Sequence, residues 1–585
     1  MTPRLENAVQ WLERTVGLFG FSELLLTAIF ITLALKAPHV GRRGFEWVEN
    51  RLGGLAHHPV RQILAVGAFA VLARAAVLPW LGAPVPYIFD EQSIFLQAQT
   101  FMAGRLSNPT HLFWEHFETY YVNQLPAYAS MYFPGRGAPL FLGLLVAGNA
   151  WVGVWISVVL MCMAATWMLQ GWVSLPMAFL GGMLVAVRVG IFSFWINSYY
   201  GGAFTALGAM LVFGALARLL KEPRWRDGVV MGLGITILMI SRPYEGFLLC
   251  VPVGVALLAR WLGPVRLARP GWQAGRMAAV KFALPVMLMV GAGGGLLLSY
   301  NAATTGNLLK SPYTVQRETY ASAPAFLVSP PIQSQNRGPA YFRAYYDIEA
   351  TTYHYRNSAR LLARSVVAKL LHTWNFYIGP TLTIAFLAGL WVSRRDYLIL
   401  FTLVFFLLGY FLETWNFPQY TAPLYPVLLV LTMRGFQQLR ACGPARAPTG
   451  LFLTRAMPFA SLALLVLPVS SLLFGKPVLA NVSVQAVCCT IVYDEVRPKL
   501  EQQLQASPGP DLVFVKDGPQ NPTNYELVYN APDIDHAPVV WAHRLSPEKD
   551  EKLQLYFSGR NVWEFEWLPK PPDGKQEYRF AQINP

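Results

Sequence analysis

The chain has 585 residues, 54% of them hydrophobic and only 13% charged, and its mean hydropathy is +0.37. These values exclude a soluble globular protein of this length and indicate a polytopic membrane protein. The formal net charge of +14 would suggest nucleic acid in a soluble chain; here Lys and Arg gather in short connectors between apolar stretches, so the charge records topology and no nucleic-acid partner is expected.

A bilayer-crossing helix needs about 20 mostly apolar residues. Read in chain order, roughly twelve stretches qualify: 17–36, 63–82, 143–166, 177–196, 203–220, 228–241, 244–261, 280–299, 376–393, 397–414, 420–436 and 456–475. The first follows a polar segment, Met1 to Arg14, without a small-residue cleavage site, and is expected to remain as an anchor. The stretch 138–170 could hide a short re-entrant helix, and 228–241 is short enough to be tilted or broken. No internal repeat and no GxxxxGKS/T phosphate loop occurs, which leaves an ATP-driven pump unsupported. Cys488 and Cys489 are adjacent, an arrangement that rarely pairs, so no disulfide framework is expected.

Basic connectors alternate with neutral ones. Residues 37–62, 218–226, 260–276, Arg394 with Arg395, and 434–455 carry the Lys and Arg and are assigned to the cytoplasm by the positive-inside rule. The segments 83–137, 197–202, 242–243, 300–375, 415–419 and 476–585 then face outward. The expected organisation is an all-helical membrane domain over 1–475, with outer loops 83–137 and 300–375, followed by a small exterior α+β domain over 476–585. In that tail, 511–515 and 539–542 alternate like strands between turn-forming residues.

The unusual residues lie on the outer side. Asp90 and Glu91 follow the second span directly. A carboxylate buried at bilayer depth costs roughly 2.5 kcal/mol or more, so such a pair marks either a site or the solvated start of a helix. The spacing over 96–106 fits an amphipathic helix lying on the membrane surface. Arg242, Arg136, Lys310 and Arg317 stand near outer span ends, where they could bind a phosphate or simply snorkel to the interface. Arg188 falls near the middle of a span, where an unpaired cation is expensive, so it requires a partner.

The strings PYIFDEQSIFLQAQTFMAGRL (86–106) and YFPGRGAPLFLGLL (132–145), followed in order by NSYYGG (197–202), SRPYEG (241–246), YNAATTGN (300–307) and QYTAPLYP (419–426), resemble the GT-C membrane glycosyltransferases. The likeness is to the bacterial branch near the protein O-mannosyltransferases and lipid A aminoarabinose transferases. It implies a bacterial inner-membrane enzyme of the cell envelope, acting at the periplasmic or exterior face. It further implies a sugar donor carried on a polyprenyl phosphate, transfer with inversion at the anomeric carbon, and an acceptor that is a glycan, a lipid or a protein. The first acidic residue of the pair, which acts at the acceptor in that family, is Asp90 here.

The residue chemistry points the same way. Sugar transfer from a lipid phosphate needs a carboxylate to take the acceptor proton and donors to hold the departing phosphate. Asp90 meets the first need, and Glu91 could orient the acceptor or share the proton. Arg242, Arg188, Arg136 and Lys310 are the candidates for the phosphate, and Tyr199, Tyr200, Glu245 and Tyr313 for substrate binding. A divalent-cation requirement stays open; Asp90, Glu91, His111 and His116 are the residues that could form such a site. A secondary transporter would show a similar number of spans but leaves the long outer loop and the tail unexplained. A non-catalytic membrane component of envelope-glycan export is the other alternative.

Overall fold

The computed structural model describes residues 3–262, 272–335, 340–442, 448–473, 488, 496–506, 508–518, 521–522, 525–569 and 576–583. The chain opens with α1 (Pro3–Lys36), α2 (Arg42–Ala56) and α3 (Pro59–Leu81), and α4 (Phe89–Met102) lies in the segment that follows. A two-stranded ribbon, β1 (Val122–Asn123) with β2 (Ala129–Ser130), precedes α5 (Ala138–Ala147), α6 (Ala150–Trp172), α7 (Leu175–Val189), α8 (Gly202–Leu219) and α9 (Trp225–Ser241). The helices α10 (Pro243–Leu262) and α11 (Trp272–Thr305) lead to a second long segment carrying α12 (Pro312–Tyr320) and α13 (Ala340–His354). The last apolar helices are α14 (Ala359–Tyr377), α15 (Gly379–Val392), α16 (Tyr397–Phe411), α17 (Tyr425–Arg440), α18 (Thr449–Ala463) and α19 (Val466–Leu473).

Each of the twelve expected spans overlaps helix, yet among the described residues only seven stretches are both long and apolar enough to cross a membrane: Phe19–Lys36, Pro59–Leu81, Ala150–Trp172, Gly202–Leu219, Pro243–Trp261, Val280–Thr305 and Thr449–Ser470. The rest fall on the shorter helices α7, α9, α15, α16 and α17. The α14 and α15 pair, bent by 101° at its break, makes an eighth span if counted as one. The break sits at Gly379, whose φ of +63° suits glycine alone without strain. The stretch 138–170 holds a short helix before its span, α5, ten residues long and followed after Gly148 by α6.

Glycine brings the helix backbones together. A methyl group on Gly435 would lie 1.6 Å from the Ala385 carbonyl, one on Gly389 1.8 Å from the Leu431 carbonyl, and one on Gly153 1.7 Å from the Pro139 carbonyl. Such approaches suit a bundle in lipid, where close packing replaces the hydrophobic drive between helices. Burial separates the centre from the rim: the span in α8 is 83% buried, whereas Val280–Thr305 of α11 is 11% buried and presents Leu284, Met287 and Leu288 outward.

The tail forms a four-stranded sheet of order β4-β3-β5-β6, with β3 (Asp511–Lys516) parallel to both β4 (Val539–His543) and β5 (Asn561–Trp567), and β6 (Tyr578–Gln582) antiparallel to β5. The expected strands are β3 and β4. Parallel pairing requires long crossovers, supplied by 517–538 and by a segment containing α21 (Pro547–Tyr556), while α20 (Val496–Gln505) packs Leu500 and Leu504 onto the same core. Cys488 is disulfide-bonded, which the reading of adjacent cysteines does not anticipate; Cys489 lies outside the described residues.

Candidate active site

The site forms where the segment 82–137, the turn 190–201, the α9–α10 junction and the segment 306–358 meet. Glu91 and Asp90 both belong to the first turn of α4, where acids favour the exposed amides and the positive end of the helix dipole. Glu91 turns inward. Its Oε2 accepts from the Tyr87 amide at 2.9 Å and the Ile88 amide at 3.4 Å, and its Oε1 accepts from the Tyr199 amide at 2.9 Å. One buried carboxylate thus fixes the start of α4 and ties it to the 190–201 turn. Burial, opposed by those three amides, pushes its pKa up to about 7.

Asp90 faces two phenols. Tyr132 donates to Oδ1, and Tyr200 donates to Oδ2 at 3.0 Å. The pKa of Asp90 is raised by burial, against the stabilising pull of both phenols and of nearby Arg136. Tyr199 anchors the same turn, with its hydroxyl on the Pro84 carbonyl at 2.6 Å. These sequence-predicted residues therefore converge, and Tyr132, which sequence reasoning missed, joins them.

Arg136 and Arg242 form the cationic side. Arg136 donates to the Tyr200 carbonyl, and its guanidinium lies 5.2 Å from the Tyr132 ring centre. Burial and the proximity of Arg242 lower its pKa to about 10. Arg242 sits between Ser241, the last residue of α9, and Pro243, the first of α10. It pairs with Glu245 at 2.7 Å and lies 3.9 Å from the Tyr420 ring centre, while its Nε is buried with no acceptor among the described residues. A buried guanidinium and a partly buried one within electrostatic reach of each other, the latter with an unused donor, suit an anionic ligand.

The segment 306–358 completes the surroundings. Tyr121, held in the left-handed region at φ +60°, bonds the Tyr345 hydroxyl and donates to Glu349 at 3.3 Å. That backbone conformation costs of order 1 kcal/mol for a residue with a Cβ and marks a site held in place by its neighbours. Glu349 also accepts from Arg317 at 2.7 Å, and Arg317 lies 4.7 Å from the Trp415 ring centre. Tyr313 lies between the Arg317–Glu349 and Arg242–Glu245 pairs and feels all four charges; burial pushes its phenol up to about 12. Glu349 and Tyr345 escape a reading of the sequence because their helix is an aromatic-rich run without a recognisable motif.

Two predicted phosphate ligands lie elsewhere. Arg188 is consumed by helix packing: it donates to Glu23 at 3.0 Å and to the carbonyls of Phe376 and Asn375 at 2.9 and 2.5 Å. That supplies the partner a mid-span cation requires, and it places Arg188 outside the cluster. Lys310 stands in an exposed ion pair with Glu318 at 2.6 Å.

The tail docks on the same segments. Tyr529 donates to the Tyr120 carbonyl at 3.1 Å, and Tyr128 donates to the Asn530 carbonyl at 2.8 Å. His543, fully buried, bonds Asp517 at 2.8 Å and the Glu118 carbonyl at 2.9 Å, with Glu526 at 3.9 Å; these acids push it up to about 9. His111 is paired with Asp535, and His116 meets the His543 carbonyl. Both histidines thus face the tail. Among the described residues no group of three or more His, Cys, Asp or Glu is placed to hold a metal ion, so Asp90, Glu91, His111 and His116 do not assemble into one.

No family model matches the sequence, and no curated protein matches it. Solved structures similar in fold include ArnT from Cupriavidus metallidurans in the apo state, at 13% identity and a TM-score of 0.45 over 86% of this chain and 93% of that one. The same protein bound to undecaprenyl phosphate matches at 12% identity and 0.44, with the same coverage. The Archaeoglobus fulgidus oligosaccharyltransferase tethered to an acceptor peptide matches at 12% identity and 0.40 over 77% of this chain. The chain spans 61% of the length of that enzyme.

Proposed function

We propose that the protein is a polyprenyl-phosphate-sugar-dependent glycosyltransferase of the bacterial inner membrane, with its site and its 476–585 domain on the periplasmic or exterior side. The observation that carries this reading is a single cluster in which a carboxylate held by two phenols, Asp90, adjoins two guanidiniums, the buried Arg136 and the partly buried Arg242.

The reaction divides between the two halves. Asp90 takes the proton from an acceptor hydroxyl as its oxygen attacks the anomeric carbon of the donor sugar. The bond from that carbon to the phosphate oxygen breaks, and the electron pair leaves on the phosphate, which Arg136 and Arg242 stabilise. A base-assisted single displacement inverts the anomeric configuration. Tyr132 and Tyr200 aim the carboxylate, and Tyr199, Tyr313 and Glu245 line the donor side. The acceptor is a glycan, lipid or protein hydroxyl; nucleic acid has no role.

The test uses membranes carrying the protein and a panel of radiolabelled polyprenyl-phosphate sugars. The reading predicts label moving from the lipid to an acceptor with release of free polyprenyl phosphate, in vesicles whose 476–585 segment is open to added protease. Consumption of none of the donors by folded protein would rule it out.

A further inference from the structure

Arg242 is already occupied. Its Nη1 meets Glu245 Oε1 at 2.7 Å inside the protein, with Glu245 5% exposed. The pair is local: Pro243 starts α10, and Glu245 stands in its first turn, where the helix dipole and free amides favour an anion of any kind, carboxylate or phosphate. A second guanidinium, that of Arg136, lies within electrostatic reach of Arg242. The neighbouring acid Glu413 has an Oε1 that is buried with no hydrogen-bond partner among the described residues, and it lies within electrostatic reach of Glu245. Glu245 is the carboxylate in hydrogen-bond contact with Arg242.

We infer that Glu245 is the charge-reading residue of the donor site, a stand-in anion that yields Arg242 to a singly charged phosphodiester and repels the doubly charged phosphomonoester left behind after transfer. The inference rests on the donor-phosphate reading above. The donor phosphate joins two carbons and carries one negative charge. When the sugar leaves, the freed oxygen gives a monoester whose second ionisation, with a pKa of about 6, brings it close to two charges at neutral pH. A fixed carboxylate beside the cradle disfavours the second charge more than the first, because like charges brought together out of water repel strongly. Glu245 therefore sets selectivity for donor over product and speeds product release.

Two probes separate these charges without knowledge of the sugar: undecaprenyl phosphate, a monoester, and undecaprenyl methyl phosphate, a diester on the same chain. Their affinities are measured at about pH 8, where the monoester is dianionic, on the full-length protein in detergent. Wild type is expected to bind the diester at least as tightly as the monoester, although two arginines alone would favour the dianion. Glu245→Gln should tighten monoester binding by about tenfold and diester binding by less, and Glu245→Asp should keep the wild-type order. A Glu245→Gln protein whose two affinities match wild type, or fall together, overturns the inference. If that variant does not fold, a wild type preferring the monoester by about tenfold or more overturns it equally. Failure of wild type to bind either probe, with Arg242→Ala indistinguishable from it, instead removes the donor-phosphate reading and the inference with it.

Discussion

Asp90 and Glu91 are neighbours in sequence and face opposite partners: Asp90 accepts from the hydroxyls of Tyr132 and Tyr200, whereas Glu91 accepts from the backbone amides of Tyr87, Ile88 and Tyr199. Only Asp90 keeps side-chain neighbours that a substrate can rearrange. In the proposed reaction the pair is thus one base and one brace. The brace holds the 190–201 turn, and with it Tyr200, against the base.

Transfer should lose its acid limb at a pH above the ordinary carboxylate range, because Asp90 accepts a proton only when ionised and its pKa is raised by burial. Activity is therefore present above that raised value and lost as pH falls through it. Tyr132→Phe and Tyr200→Phe each remove a donor to the charged form and should move the limb to still higher pH. A pH–rate profile for each variant checks this, and a limb that stays fixed or moves toward acid contradicts it.

Glu91→Ala strands the buried amide of Tyr199 and the part-buried amide of Tyr87, at about 1–3 kcal/mol for a buried unsatisfied group. The variant should lower the thermal unfolding temperature and also lower transfer, since Tyr200 follows Tyr199 directly. Glu91→Gln keeps an acceptor oxygen and should recover part of both losses. Unaltered unfolding and unaltered rates in Glu91→Ala would show that the brace is unnecessary.

Arg242→Ala should weaken polyprenyl-phosphate binding by roughly 10- to 100-fold, the loss expected for a charge-assisted contact. Arg188→Ala should leave that affinity unchanged and instead destabilise the bundle, because it strands Glu23 among helices. Binding titrations alongside unfolding curves separate the two arginines.

The carboxylate pair, the apolar helices and two of the tail strands are legible in the sequence, because each is written in contiguous residues. The partners of the pair are not. Tyr132 and Tyr200 stand 42 and 110 residues from Asp90, and no local periodicity records such a meeting. For Arg188 the expense of an unpaired mid-span cation predicts that a partner exists, but Glu23 lies 165 residues away in α1 and only the packing identifies it. The span count differs for a related reason. A hydropathy window registers 16 apolar residues much as it does 20, whereas α7, α9, α15, α16 and α17 stop short at glycine, proline or a polar turn. The strand β5 is within reach of a sequence reading, since Trp563, Phe565 and Trp567 alternate with Glu564 and Glu566 as in a half-buried strand.

Docking of the tail should weaken at alkaline pH. His543 has a folded pKa near 9, above its ordinary 6.5, so its contribution is fully present below the ordinary value and is lost as pH rises through about 9. Limited proteolysis of the tail from about pH 6 to pH 10 should show increasing cleavage above pH 9 in wild type. In His543→Gln, cleavage should already be raised at neutral pH and change little with alkalinity. Cleavage in wild type that does not respond to pH contradicts this role.

The proposed reaction turns on Asp90 as the base, and Asp90→Asn tests that role most directly because it keeps the side chain's volume and polarity while removing its basicity. Purified wild type and Asp90→Asn are compared in single-turnover transfer from a polyprenyl-phosphate sugar to its acceptor, with donor binding measured in parallel. The expected result is a transfer rate lowered by about 10²–10⁴-fold with donor affinity retained. Transfer by folded Asp90→Asn at the wild-type rate would contradict it.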